Sequence, residues 1–305
     1  MKLATYTTNG SGQKVGVVQG DVILDLETLG FKLNITFPKS ILDIIDGGSA
    51  ELKKIEDAIK QSSENTIASS SLPKDEITLL APIPRPRKNI IGIGLNYTEH
   101  VAESARTLDT DNALPQKPVI FSKPPTTVTA TNTDIIHNEN LTKQLDWEVE
   151  LAVIIGKKAK YISRENAMDY VFGYTVINDI SARDCRRAGQ WIVSKGQDTF
   201  APMGPFLVTK DEIDNPHDLQ LSLQVNGVEK QNSNTKFMLF DIPALIADLS
   251  EVFTLEPGDI IATGTPAGVG AGRDPQEWMW DGDVVEATVE KIGTLVNTVR
   301  KLVRD

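Results

Sequence analysis

An α+β fold, mainly β with some α, is what this sequence predicts. Short apolar runs bounded by Gly, Pro, Asn and Asp recur along most of its 305 residues, the pattern of strands joined by turns. Val225-Asn-Gly-Val228 sets Asn-Gly between two such runs, a strong hairpin signal. Helical spacing of apolar residues is limited to a few segments, among them Leu52, Ile55 and Ile59 and, behind the capping residue Asp241, Leu245, Ile246 and Leu249.

Taken in order, residues 1–80 read as a small amino-terminal α/β module. Strands are expected near Leu3 to Thr7, Lys14 to Val18 and Val22 to Leu26. A helix from Ser40 stops at Gly47-Gly48, a second helix follows, and Glu76 to Leu80 forms a last strand. Pro82-Ile-Pro-Arg-Pro-Arg87 makes a stiff extended linker, so residues 81–305 are expected to form the larger domain. It opens with Asn89-Ile-Ile-Gly-Ile-Gly-Leu-Asn-Tyr97. The Gly92-x-Gly94 pair is not a dinucleotide fingerprint, because Tyr97 stands where the third glycine belongs and no strand-ending acid follows at the required distance. A helical turn over Tyr97 to Ser104 places His100 and Glu103 on one face. The polar stretch Ala105 to Gln116 reads as a flexible lid, and Pro118 to Lys123 as a strand.

Composition narrows the function. A net charge of -11 and a pI near 4.9 argue against nucleic acid and anionic membrane surfaces as partners. No apolar run approaches the roughly 20 residues that span a bilayer, and the first residues lack a signal peptide's apolar core, so a cytoplasmic protein is expected. The single cysteine, Cys185, excludes an intramolecular disulfide. Arg183, Arg186 and Arg187 around it would favour a thiolate, but no cysteine-protease signature surrounds it and a bystander is the simpler reading.

The stretch that carries chemistry is Leu145-Asp-Trp-Glu-Val-Glu-Leu-Ala-Val-Ile-Ile155. As a strand, its period of two aims Glu148 and Glu150 at one face, and the apolar continuation implies burial on both sides. Two buried carboxylates about 7 Å apart resist ionisation. A divalent cation between them removes that cost, and oxygen ligands favour magnesium, manganese or calcium over zinc. An edge strand with a solvated acidic face is the plain alternative. A third carboxylate, Asp179, ends the apolar run Phe172 to Asp179, with a short helix capped by Ser163 between the two strands.

Glu-x-Glu, then Val176-Ile-Asn-Asp-Ile-Ser-Ala-Arg-Asp184, Lys195, and Ile261-Ala-Thr-Gly-Thr-Pro-Ala-Gly-Val-Gly270 together resemble the fumarylacetoacetate hydrolase family, in order and over about residues 80–300. The resemblance implies a mixed β-sandwich roll behind a small amino-terminal domain, and a homodimer. It implies Glu148, Glu150 and Asp179 as metal ligands, a His100 and Glu103 base pair closing over them, and Lys195 beside the substrate. It also puts Lys123, Arg183 and Thr265 near a substrate carboxylate, with a weaker claim for Gln190. Residue by residue, solvated or structural roles remain open: Arg183 as a partner of Asp184, Lys123 as a strand cap, Lys195 as a loop lysine. His137 and His217 read as structural or surface residues.

Three carboxylates on a magnesium or manganese ion leave about three positions free, and a small 2-oxo acid can chelate two. The polarised 2-oxo group then accepts electrons as the bond beyond C3 breaks. Hydrolysis of an acylpyruvate, fumarylpyruvate or fumarylacetoacetate type of 1,3-diketo acid is the first expectation. The alternatives are oxaloacetate decarboxylation, an isomerase or hydratase of the same family, and a non-catalytic 2-oxo acid binding protein.

Overall fold

A computed structural model describes residues 1–8, 12–107, 114–187 and 189–303. The lid expected at Ala105 to Gln116 falls for the most part outside them. The described residues build a large mixed sheet, a five-stranded sheet packed against it and a two-stranded ribbon, in keeping with the predicted α+β class.

The large sheet runs in the order Ser71–Pro73, Val22–Asp25, Lys14–Gln19, Lys2–Thr7, Ala201–Thr209, Val171–Asn178, Val149–Ile155, Ile260–Ala262, Ile90–Gly94, Val119–Lys123. The first eighty residues therefore contribute four strands of this path, and Lys2 and Leu3 pair with Val208 and Leu207. The joint with the rest of the chain is hydrogen-bonded sheet as well as the Pro82 to Arg87 connector. Beyond it the helix Ile41–Gln61 breaks its helical geometry at Gly48, with φ 57°, where the glycine pair predicts a stop.

Strand Val149–Ile155 is buried at every position and sits between two cores. Val149, Leu151, Val153 and Ile155 pack with Leu221, Leu223, Val285, Ala287 and Leu295 of the five-stranded sheet. Ala152 and Ile154 face the opposite way, into a core with Leu3, Leu24, Ile41 and Ile44 of the amino-terminal residues. Burial on both faces explains why the run is continuously apolar. In the smaller sheet, Gln220–Val225 and Val228–Asn234 form the predicted hairpin, with Asn226 and Gly227 both at positive φ.

Two local expectations change. The segment Leu145 to Ile155 is not one strand: Leu145–Asp146 pairs with Ser181–Ala182, and Trp147 and Glu148 bridge to Val149–Ile155. Side chains hold the break, since Asp146 accepts the Trp147 amide and Asn178 accepts the Glu148 amide. The segment after Ser163 is a 3₁₀ turn, Arg164–Tyr170, and Ser163 gives it no side-chain cap; its hydroxyl instead accepts from Asn166 Nδ2. Asp241 caps its helix as expected, accepting the Ala244 amide at 2.9 Å.

Candidate active site

Glu148, Glu150 and Asp179 come together at the break. The Asp179 amide donates to the Glu148 carbonyl at 2.9 Å, bringing the end of Val171–Asn178 alongside the start of Val149–Ile155. One oxygen from each carboxylate lies within 4.8 Å of the others, and all three residues are buried. Glu148 and Glu150 converge as the sequence predicts, but across the break at Trp147 and Glu148 and not on one uninterrupted strand.

Three cations are built around the acids. Lys195, at the end of the short helix Ile192–Lys195, donates to Glu148 Oε2 at 3.0 Å, to Ser181 Oγ at 2.9 Å and to Asp179 Oδ2. Lys123 lies behind the site with no solvent exposure and donates to Asp179 Oδ1 at 2.5 Å and to the Ile180 carbonyl. Arg183 forks between Asp146 Oδ2 at 2.8 Å and Glu148 Oε1 at 2.6 Å. Burial raises the Glu148 carboxyl, but Lys195 and Arg183 outweigh it and hold the group well below the usual carboxylate range. Glu150 goes the other way: burial, then the charges of Asp179 and Glu148, push it well above that range. Burial opposes the charge on Lys195 too, yet Asp179 and Glu148 raise it.

Glu150 decides whether the residues fit a metal. Its Oε2 accepts the Gly264 amide at 2.9 Å, while Oε1 is buried without a hydrogen-bond partner. A bare, desolvated carboxylate oxygen beside two further carboxylates is unfavourable by itself and is the environment a hard divalent cation relieves. The triad fits such an ion, and Glu148, Glu150 and Asp179 could hold it.

The glycine-rich stretch after Ile260–Ala262 does not cradle phosphate; its amides hold the chain's own carboxylates. Gly264 binds Glu150, Gly268 binds Glu103 at 3.0 and 3.2 Å, and Gly270 and Ala271 bind Asp146 at 2.6 and 3.1 Å. Glu103 also accepts from His100 Nδ1 at 3.2 Å. Because a carboxylate only accepts, this contact puts the hydrogen on Nδ1 and leaves Nε2 free. His100 lies on the wall of a narrow cleft whose lining also includes Glu148, Arg183, Arg186, Trp191, Lys195 and Thr265.

The glycines first compared with a nucleotide fingerprint have a packing cause. A Cβ at Gly92 would lie 2.2 Å from the Phe121 ring, and one at Gly94 2.6 Å from Trp191. The two ring centroids lie 5.3 Å apart with the planes tilted at 45°, with Lys195 over Phe121 and Arg186 over Trp191.

Other predicted residues land differently. Arg183 pairs with Asp146 and Glu148 and not with Asp184, which accepts from Thr142 and the Lys143 amide. Thr265 lines the cleft, but its hydroxyl donates to the Val149 carbonyl at 2.9 Å and accepts from Gln231 at 2.8 Å. Gln190 is exposed, and among the described residues only its backbone pairs, with Arg187. Cys185 is buried, donates to the Leu141 carbonyl, and has its thiol pushed up by burial and Asp184, so it has no nucleophile's environment. His137 is buried against the Thr142 carbonyl. Among the described residues no helix is long and apolar enough to cross a membrane.

Sequence reading missed Asp146, Gln231 and Arg186. Asp146 was in view beside Glu148, but the broken strand that turns it toward Arg183 and the loop amides has no sequence signature.

Comparison with known proteins agrees with this geometry. Residues 89–300 match the family model for the fumarylacetoacetate (FAA) hydrolase C-terminal region. The oxaloacetate tautomerase YisK of Bacillus subtilis (strain 168) is 42% identical over 289 residues, covering 93% of this chain and 94% of that protein. The mitochondrial oxaloacetate tautomerase FAHD2A of Bos taurus is 40% identical over 267 residues, 87% of this chain and 81% of that protein. Among solved structures, the maleylpyruvate hydrolase of Sphingobium sp. SYK-6 in complex with manganese(II) and pyruvate superposes with a TM-score of 0.76 at 30% identity, covering 99% of both chains. The cleft, its carboxylate triad and these likenesses agree: the chain belongs to the fumarylacetoacetate hydrolase family of enzymes.

Proposed function

We propose that this enzyme is a divalent-metal-dependent oxaloacetate tautomerase, interconverting the enol and keto forms of a small 2-oxo dicarboxylate. The observation that carries the reading is an imidazole fixed by Glu103 and facing the same cleft as Glu148 and Lys195. The two oxaloacetate tautomerases above support the substrate, and favour the oxaloacetate alternative over the acylpyruvate hydrolysis that was the first expectation.

Bound at Glu148, Glu150 and Asp179, magnesium or manganese would supply Lewis-acid polarisation of the 2-oxo group. The protein's own part is proton transfer. Converting enol to keto removes the proton on the C2 oxygen and adds one at C3, with no change of oxidation state and no other reactant. In this reading His100 Nε2 takes the proton that leaves the C2 oxygen and returns it at C3, and Glu103, accepting from Nδ1, holds the ring and stabilises its protonated form. The Lys195 ammonium offsets negative charge developing on the C2 oxygen. No water is needed as a nucleophile. Hydrolysis uses the same dyad to activate water and is the second reading, favoured by the maleylpyruvate hydrolase among the structural relatives.

Purified protein with magnesium or manganese, given enol oxaloacetate, should speed the loss of enol absorbance without releasing pyruvate, and His100→Asn should lose at least about 100-fold in kcat. Pyruvate release matching enol loss would move the assignment to a decarboxylase. Cleavage of an acylpyruvate faster than oxaloacetate turnover would move it to a hydrolase.

A further inference from the structure

Arg186 has no part in the chemistry above, yet it lines the cleft. Of the three cations on that lining, Lys195 and Arg183 are ion-paired to site carboxylates. Arg186 has no ion pair among the described residues. It is half-buried, held over the Trp191 ring at 4.7 Å. The Trp191 face orients a guanidinium without using its hydrogen-bond donors, so the planar fork stays free to receive a carboxylate.

We infer that Arg186 is the specificity residue of this site: it receives the second carboxylate of a dicarboxylate whose first carboxylate and neighbouring oxygen face the Glu148, Glu150 and Asp179 triad. The inference rests on the reading of the triad as a metal site for 2-oxo acids, and deepens it by explaining how oxaloacetate is told from pyruvate or a neutral-tailed acylpyruvate. Arg186 is a substrate-contacting group by this account, and no step of the proton transfer passes through it.

The test compares ligands that differ only in the second carboxylate. L-malate and L-lactate, both stable chelating 2-hydroxy acids, are titrated calorimetrically into magnesium-loaded wild type, Arg186→Met and Arg186→Lys. A charge-assisted, bidentate contact in a confined site predicts that wild type prefers malate by roughly 10- to 100-fold. Arg186→Met should abolish that preference while leaving lactate affinity within about 2-fold, and Arg186→Lys should keep part of it. Melting temperatures identify any variant that has not folded, in which case the lysine variant alone decides, by an intermediate preference. A wild type without preference, an unchanged preference in the methionine variant, or equal weakening of both ligands overturns the inference. Turnover is measured separately: wild type that discriminates malate through Arg186 but does not tautomerise oxaloacetate would sink the proposed activity and leave the specificity residue standing.

Discussion

Gly272→Ala tests the placement of Glu103 without removing its carboxylate. A Cβ at Gly272 would lie 2.0 Å from the Glu103 carboxyl carbon and 2.2 Å from Oε1, so Glu103 must retreat by about 1.4 Å to reach the 3.4 Å of ordinary contact. Gly272 is not among the glycines at positive φ, so alanine meets no backbone strain and the effect is steric. The atoms in the way are the end of a flexible side chain, and they move more cheaply than backbone. Retreat on that scale breaks the bonds from Gly268 at 3.0 and 3.2 Å and the 3.2 Å contact to His100. Misplacing a catalytic group by about 1 Å costs on the order of 100-fold. The lost charge-assisted hydrogen bond costs about 1.5–3 kcal/mol of stability. Steady-state tautomerisation of oxaloacetate should therefore show kcat down by about 100-fold, near that of Glu103→Ala, with magnesium affinity unchanged because the triad is untouched. A variant within about 3-fold of wild-type kcat, or one that loses magnesium binding, would refute the claim that this glycine exists to seat Glu103 against His100.

Three further outcomes follow from the same structure. Glu150→Gln removes the bare buried oxygen, so metal-free protein should melt higher than wild type, while the stabilisation of about 2.7 kcal/mol that magnesium gives wild type at 100 times its Kd should vanish in a thermal-shift titration. Arg183→Met leaves Asp146 and Glu148 without their shared cation and should cost about 3–5 kcal/mol in urea unfolding; Asp146→Asn on that background should restore part of it. His217 Nε2 accepts the Ile242 amide at the start of the helix Ile242–Val252, and burial, against Asp241, lowers its pKa. Its contribution to stability is full above the ordinary value of about 6.5 and is lost as pH falls through that value toward the lower folded one. Urea midpoints taken between neutral and mildly acidic pH should show this decline in wild type and not in His217→Gln.

Much of the site was legible before the fold. The spacing of Glu148 and Glu150 predicts their convergence, the polar end of an apolar run singles out Asp179, and the turn carrying His100 and Glu103 is the helix Thr98–Thr107. The Asn226-Gly227 hairpin and the Asp241 cap were equally plain, because each is local: the residues that make the structure stand within a few positions of one another.

What sequence could not decide is how each charge is compensated. Lys123 and Lys195 both read as substrate lysines, but Lys123 sits behind Asp179, 56 residues away in the chain, and only Lys195 reaches the cleft. Sequence proximity offers Asp184 as the partner of Arg183, which instead forks to Asp146 and Glu148, 37 and 35 residues back. The amides of the glycine-rich loop serve carboxylates more than a hundred residues distant. Strand period and turn chemistry follow from steric limits on neighbouring residues, and the sequence by itself determines them. Which cation is paired, which carboxylate oxygen is left bare and which guanidinium remains open to a ligand depend on desolvation and on distances between remote segments, and only the tertiary structure decides them.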